Sequence, residues 1–159
     1  FSYTYSGNIN GDGSGLNDLI YIPTESELGQ MNFSSEEGRA AYEAFIQQDE
    51  YLSANRGSVM EKYGILSPWY SRWDLRILQD LMVSDDNMLQ LSIDVLNIGN
   101  MFNSSWGVRQ LPTNTQPVGV SVTDGVPTYS FDPALTSSFT DDFSLMSRWQ
   151  MQIGLRYRF

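Results

Sequence analysis

Four stretches of this chain alternate apolar and polar residues with period two. The last is the most regular: Trp149, Met151, Ile153, Leu155, Tyr157 and Phe159 point one way and Gln150, Gln152, Gly154, Arg156 and Arg158 the other, because successive strand side chains leave opposite faces. "MLQLSIDVLNI", residues 88–98, sets Leu89, Leu91, Ile93 and Val95 against Gln90, Ser92 and Asp94. "SRWDLRILQDLMV", residues 71–83, sets Trp73, Leu75, Ile77, Leu81 and Val83 against Arg72, Asp74, Arg76 and Asp80, with Gln79 and Leu78 each on the unexpected side. "FSYTYSG", residues 1–7, sets Phe1, Tyr3 and Tyr5 against Ser2, Thr4 and Ser6. The pattern predicts strands at about 1–7, 71–83, 88–98 and 148–159.

The connections between them are unequal. "SDDN", residues 84–87, is a tight polar turn, whereas residues 8–70 and 99–147 are too long for ordinary loops of a compact domain. The first long connection contains "SSEEGRAAYEAFIQQ", which predicts a helix with Ser34 and Glu37 as a capping box and a stripe of Ala41, Ala44 and Phe45. The second contains "VGVSVTDGVPTYSF", which predicts a hairpin turning at Asp124-Gly125, with Pro127 weakening its second arm as a central strand.

Two architectures bury such two-faced strands: a soluble antiparallel sandwich, and a transmembrane β-barrel with its apolar face in lipid. Length favours the barrel. Twelve residues, 148–159, extend about 40 Å and cross roughly 28 Å of bilayer when tilted by about 45°. The polar faces carry Arg, Asp, Gln and Ser, with neither Lys nor Glu, as suits residues that bond to one another inside a barrel. Trp149 and the Tyr157/Phe159 pair bracket the aliphatic centre of the last strand like two interfacial girdles. The expected fold class is therefore all-β: an antiparallel transmembrane β-barrel segment with long extracellular loops that contain a short helix and a hairpin. Residues 1–159 are read as the C-terminal part of one barrel domain. Four strands cannot close a barrel, and the first residues read as a strand already under way, so the expectation is a fragment whose remaining strands lie elsewhere.

Composition narrows the function. Nine basic against nineteen acidic residues give a formal charge of −10, which opposes nucleic-acid binding. The absence of cysteine and histidine excludes a disulfide scaffold, zinc sites of the usual kind and the commonest general base. Asp74 and Asp94 invite comparison with paired acid/base carboxylates, but the sequence supplies neither nucleophile nor oxyanion donors beside them. The expectation is a non-enzymatic protein.

"LQLSIDVLNIGNMFN" resembles the Asp-Val-x-Asn-Leu-x-Asn segment near the end of TonB-dependent outer-membrane transporters, and "GLRYRF" resembles their C-terminal strand and the signal read by the barrel assembly machinery. "GDGSGLNDLIYIP", "PWYSRWDLRILQD" and "NSSWGVRQ" resemble the Bacteroidetes-type members that carry an N-terminal carboxypeptidase-regulatory-like domain, the Oar-like group. The resemblance implies the end of strand 19 and strands 20 to 22 of a 22-stranded barrel. It implies an N-terminal plug and a TonB-contacting segment, neither present in this sequence. It makes Tyr157 and Phe159 the barrel-assembly signal. The implied function is TonB-dependent energised substrate uptake at the bacterial outer membrane, with loops extracellular and the C-terminus and turn 84–87 periplasmic. The rival is a non-transporting barrel subunit or scaffold of a secretion or surface-lipoprotein complex. Implied partners are the rest of the barrel and plug, the TonB complex, the barrel assembly machinery, surface lipoproteins and the lipid bilayer.

Candidate sites follow. Asn8, Asn10 and Asp12 have the 1, 3, 5 spacing of a calcium loop, with Asp18 as a further oxygen, but Leu19 stands where a bidentate Glu belongs. Calcium is the one cofactor considered, against an ordinary Asn/Gly turn. Arg72, Asp74, Arg76, Asp80, Asp94, Arg156 and Arg158 form the polar, lumen-facing set, read mainly as a structural network of cross-strand charges. Trp69, Tyr70 and Trp106 offer ring faces to a ligand, to loop packing or to a girdle. The substrate-binding residues are not legible.

Overall fold

A computed structural model describes residues 1–159. In chain order its elements are β1 (Tyr5–Ser6), β2 (Tyr21–Ile22), α1 (Glu25–Leu28), α2 (Glu36–Gln48), α3 (Glu50–Ala54), β3 (Ser58–Val59), β4 (Leu75–Met82), β5 (Met88–Leu96), α4 (Ile98–Phe102), β6 (Gln110–Pro112), β7 (Val118–Thr123), β8 (Val126–Phe131), β9 (Phe139–Asp141) and β10 (Gln150–Arg158). The fold is β-rich. No helix is long and apolar enough to cross a membrane. The chain divides into two compact units: unit 1 is Phe1–Ser67 with Pro112–Thr140, and unit 2 is Pro68–Leu111 with Asp141–Phe159.

Unit 2 is built on an antiparallel sheet in the order β10-β5-β4. Its register keeps the sequence alternation intact across three strands. Leu75, Val95 and Met151 align, as do Ile77, Ile93 and Ile153, and Leu81, Leu89 and Tyr157. The intervening rows are Arg76, Asp94 and Gln152, then Leu78, Ser92 and Gly154, then Asp80, Gln90 and Arg156. One face is thus apolar and the other mainly polar. Gln79 interrupts the apolar face and donates its amide to the Asp80 carbonyl oxygen at 2.9 Å. Most of the apolar face is uncovered: Ile77 is 49% exposed, Ile153 66% and Leu155 69%, whereas Val95 on the central strand is buried. The strands are shorter than the alternation predicts, because β4 begins at Leu75 and β10 spans Gln150–Arg158. Arg72 and Asp74 therefore precede the ladder, and Trp149 and Phe159 flank it. Residues 84–87 close the β4–β5 hairpin through Val83 N–H to Asn87 O at 2.9 Å.

Unit 1 gathers most of both long connections around a core that includes Tyr3, Tyr5, Ile20, Ile22, Tyr42, Phe45, Ile46, Leu52, Val118 and Phe131. Residues 1–7 do not form a long two-faced strand. Tyr5–Ser6 pairs in parallel with Val118–Gly119 and Thr4 adds a single antiparallel bridge to Leu19, and the apolar half of the alternation is realised as burial of Tyr3 and Tyr5 inside this core. The predicted hairpin is present: β7 and β8 pair antiparallel with Thr123 opposite Val126. Asp124 (φ 51°) and Gly125 (φ 77°) supply the two left-handed residues that its tight turn needs. Pro127 lies on β8, an outer strand of the β1-β7-β8 sheet, where a missing N–H is tolerated.

Helix α2 buries Tyr42, Phe45 and Ile46, about 1.5–3 kcal/mol per large side chain when fully buried. Of the expected stripe only Phe45 is fully buried, with Ala41 half-buried and Ala44 exposed, because the larger Tyr42 and Ile46 take the core-facing side. The Phe131 ring centre lies 5.3 Å from those of both Tyr42 and Phe45, which fastens β8 to α2. The N-cap is Ser35, whose side chain accepts from Gly38 N–H, and not Ser34. Ser34 is committed elsewhere, its N–H donating to Tyr129 O at 2.8 Å. The reciprocal capping box occurs instead on α1, between Thr24 and Glu27.

Candidate functional site

The sheet register brings Arg76, Asp80, Asp94 and Arg156 onto one face of unit 2. Arg76 Nε donates to Asp94 Oδ1 at 2.8 Å, directly across the ladder. Asp80 Oδ1 accepts from Gln90 Nε2, also at 2.8 Å, in the next polar row. Between these rows Leu78, Ser92 and Gly154 form a low strip, because Ser92 is small and Gly154 has no side chain. Arg158 lies opposite Met88 at the far end of β10. The face therefore combines satisfied cross-strand pairs with arginines free to meet an anionic partner.

Arg72 and Asp74 act at the opposite end of the sheet, outside the ladder. Arg72 Nη2 and Asp74 Oδ2 pair at 2.9 Å, and Asp74 Oδ1 accepts Asn97 N–H at 2.8 Å. Asn97 is left-handed (φ 54°) and 1% exposed. Its Nδ2 donates to Gly107 O at 2.9 Å. Asn100 Nδ2 donates to Ser104 O and Trp106 O, both at 3.0 Å, and its Oδ1 accepts Trp149 N–H at 3.3 Å. These two asparagines replace the ladder bonds that the backbone loses where it turns out of β5. The spacing in "DVLNIGN" thus has a mechanical basis: Asp94 pairs with Arg76, Val95 is buried, and Asn97 and Asn100 tie the exit turn. Neither asparagine stands out as a candidate in the sequence. The signal that would have found them is Asn at both positions of a segment whose other members are apolar.

The proposed calcium residues meet in unit 1, bonded to N–H donors. Asp18 Oδ2 accepts Ile9 N–H at 3.1 Å, and its Oδ1 accepts Asn10 Nδ2 at 2.6 Å. Asp12 accepts Ser14 N–H at 2.8 Å and the side-chain amides of Asn17 and Asn10 at 3.0 and 3.2 Å. Asn8 Oδ1 accepts Gly11 N–H at 2.7 Å. The Ser14, Asn17 and Asn10 donors hold the Asp12 carboxyl below its usual range. No group of three or more His, Cys, Asp or Glu side chains is placed to share a cation.

Unit 1 carries twelve of the nineteen acidic residues and three of the nine basic ones. Much of that charge is at its surface, but Glu43 and Arg56 are largely covered and form a two-pronged pair at 2.6 and 3.0 Å. Burial opposes ionisation of Glu43, and hydrogen bonds from Arg56 and Gln47 outweigh it, leaving the carboxyl below its usual range. Trp69 is 93% exposed in unit 2 and makes no ring pair, whereas Trp106 packs over Gly99. Tyr157 and Phe159 stack with ring centres 6.1 Å apart at the free end of β10. In comparisons with known proteins, no family model, curated protein or solved structure matches this chain.

Proposed function

We propose that this chain forms the last part of an outer-membrane β-barrel of the TonB-dependent transporter type, with β4, β5 and β10 in the barrel wall and unit 1 outside the cell. The observation that carries the reading is the unit 2 sheet: its apolar face runs across three strands, broken at Gln79, and is largely exposed, while its other face holds cross-strand polar pairs. A water-soluble domain buries such an apolar face against another layer. Strands of eight or nine residues are near the length that crosses a bilayer when tilted.

Connectivity supports the sidedness. Phe1–Ser67 and Pro112–Thr140 share one core, so both lie on the same side of any membrane. The β4–β5 hairpin between them then crosses out and back, and β10 crosses once. That leaves the 84–87 turn and Phe159 together on the opposite, periplasmic side. Energised uptake, with a plug and a TonB-contacting segment supplied by the rest of the barrel protein, rests on the sequence resemblance.

The test is surface accessibility in intact cells expressing the full-length protein. Epitope tags placed within residues 34–50 and 110–130 become labelled from outside, and a tag at 84–87 becomes labelled only after the outer membrane is opened. Surface labelling at 84–87 overturns the topology. Release of the protein from membranes without detergent overturns the barrel itself.

A further inference from the structure

We infer that a cleft in unit 2, beside the exit turn of β5, binds the neutral sugar headgroup of a glycolipid. The inference rests on the membrane-wall reading above and adds a ligand to it. The cleft has a volume of about 270 Å³ and is lined by Ser71, Trp73, Asn97, Gly99, Trp106 and Gly107. That volume suits a single sugar ring rather than an extended chain.

Its chemistry selects the headgroup class. Two tryptophans line it, Trp73 at 72% and Trp106 at 57% exposure, and Gly99 and Gly107 contribute only backbone. Indole faces carry negative quadrupole charge and attract the polarised C–H faces of a sugar ring. No charged side chain lines the cleft, whereas recognition of a phosphate headgroup calls on Arg or Lys. The polar groups present are neutral: the Ser71 hydroxyl, the indole N–H groups and the Asn97 amide. Asn97 Oδ1 has no hydrogen-bond partner but is buried beneath Gly107, so the exposed indole faces of Trp73 and Trp106 carry the recognition.

Position selects a lipid over a free sugar. Trp73 O accepts Ile98 N–H at 2.8 Å, beyond the last β4–β5 rung and one residue out of its register. Trp73 has the same parity as Leu75 and Ile77, whose side chains are exposed on the apolar face. Acyl chains attached to a ring held at Trp73 and Trp106 run down that face, with the tryptophans at the water boundary where indoles concentrate.

The experiment uses the full-length protein in nanodiscs containing equal amounts of monoglucosyl-diacylglycerol, phosphatidylglycerol and diacylglycerol with identical chains. Lipid retained on release from the disc is read by native mass spectrometry. The glucosyl lipid is retained about tenfold over either other lipid, and Gly99→Leu removes that preference. A Cβ at Gly99 lies 3.7 Å from Trp106 Cβ, an ordinary contact, so the leucine fills the cleft without forcing the backbone. Trp106→Ala gives the same loss by removing one wall. Heat-modifiable gel mobility reports in each case that the barrel is intact. Equal retention of the three lipids, or a preference that survives both substitutions in an intact barrel, overturns the inference. A protein that never enters the nanodisc overturns the membrane reading beneath it.

Discussion

Arg76 on β4 and Asp94 on β5 are exact cross-strand partners whose side chains meet at 2.8 Å. Their pairing fixes which face of the hairpin is polar, because a one-residue slip would turn every side chain of one strand over. Arg76 is 67% exposed, so screening keeps the pair weak. A double-mutant cycle with Arg76→Ala and Asp94→Ala, read by urea unfolding in micelles, is expected to give a coupling of about 0.2–1 kcal/mol. A coupling indistinguishable from zero would separate the register from this ion pair.

Facing is the second prediction. Ile153 aligns with Ile93 and Ile77 on the apolar face, and Gln152 aligns with Asp94 and Arg76 on the polar one. On the barrel reading proposed above, Ile153→Arg is expected to cost roughly 2–4 kcal/mol of stability, as arginine does near mid-depth on a lipid face. Gln152→Arg, beside Asp94, should cost far less. Gel mobility of heated and unheated outer-membrane fractions distinguishes the two, and equal losses would refute the assignment of faces.

Acid should loosen unit 1. The carboxyls of Asp12, Glu27 and Glu43 are all held below their usual range: Asp12 first by Ser14 N–H, Glu27 first by Thr24 N–H, and Glu43 by Arg56 and Gln47 acting against burial. A lowered folded-state pKa stabilises the fold above the ordinary carboxyl value, and that contribution disappears as pH falls through the folded value. Near-ultraviolet circular dichroism of unit 1 tyrosines should therefore weaken as pH drops below about 4. In Glu43→Gln part of that pH dependence is lost.

Base acts on the same unit through other groups. Burial pushes Tyr3 and Tyr5 up to about 12. Their neutral forms belong to the fold, so stability is complete below about 10 and declines as pH rises toward the folded value. Tyrosinate absorbance should show an exposed class titrating early and a buried class that ionises only with unfolding. A single early titration of all tyrosines would contradict the core position of Tyr3 and Tyr5.

Gly107 is expected to be intolerant. Its φ is +60°, and an added Cβ would collide with Asn97 Oδ1. Gly107→Ala should destabilise by about 1–3 kcal/mol, combining a left-handed backbone with overpacking against a buried amide. Thermal unfolding of the full-length protein in detergent checks it. Gly11→Ala is the comparison: it shares a positive φ but meets nothing within 4 Å, so the difference between them isolates the clash.

The unit 2 strands were legible because period-two alternation is local, and the cross-strand rows preserve it residue for residue. The hairpin at Asp124-Gly125 and the body of α2 were legible for the same reason: turn chemistry and helical spacing act over a few residues. The first strand misled because Phe1, Tyr3 and Tyr5 alternate equally well whether they face lipid or a protein core. What decides is Val118, more than a hundred positions away. The Ser34 cap failed by one residue because a distant carbonyl, that of Tyr129, takes the Ser34 N–H. At the site, the charged polar face was readable from parity. Asn97 and Asn100 were not, since their burial depends on where Gly107, Ser104 and Trp149 come to lie.

The interruption of unit 1 by the β4–β5 hairpin sets an order of events. The parallel pairing of Tyr5 with Val118 is a contact of high sequence separation, and closing so long a stretch of free chain is entropically costly and slow. The hairpin changes that cost. Once Leu75 stands opposite Val95, about half of the residues between Ser67 and Pro112 no longer count as free chain, and the loop that unit 1 must close is shorter. The expected outcome, read by stopped-flow tyrosine fluorescence, is that substitutions that delay zipping of the hairpin modestly slow burial of Tyr3 and Tyr5, residues far from it in sequence.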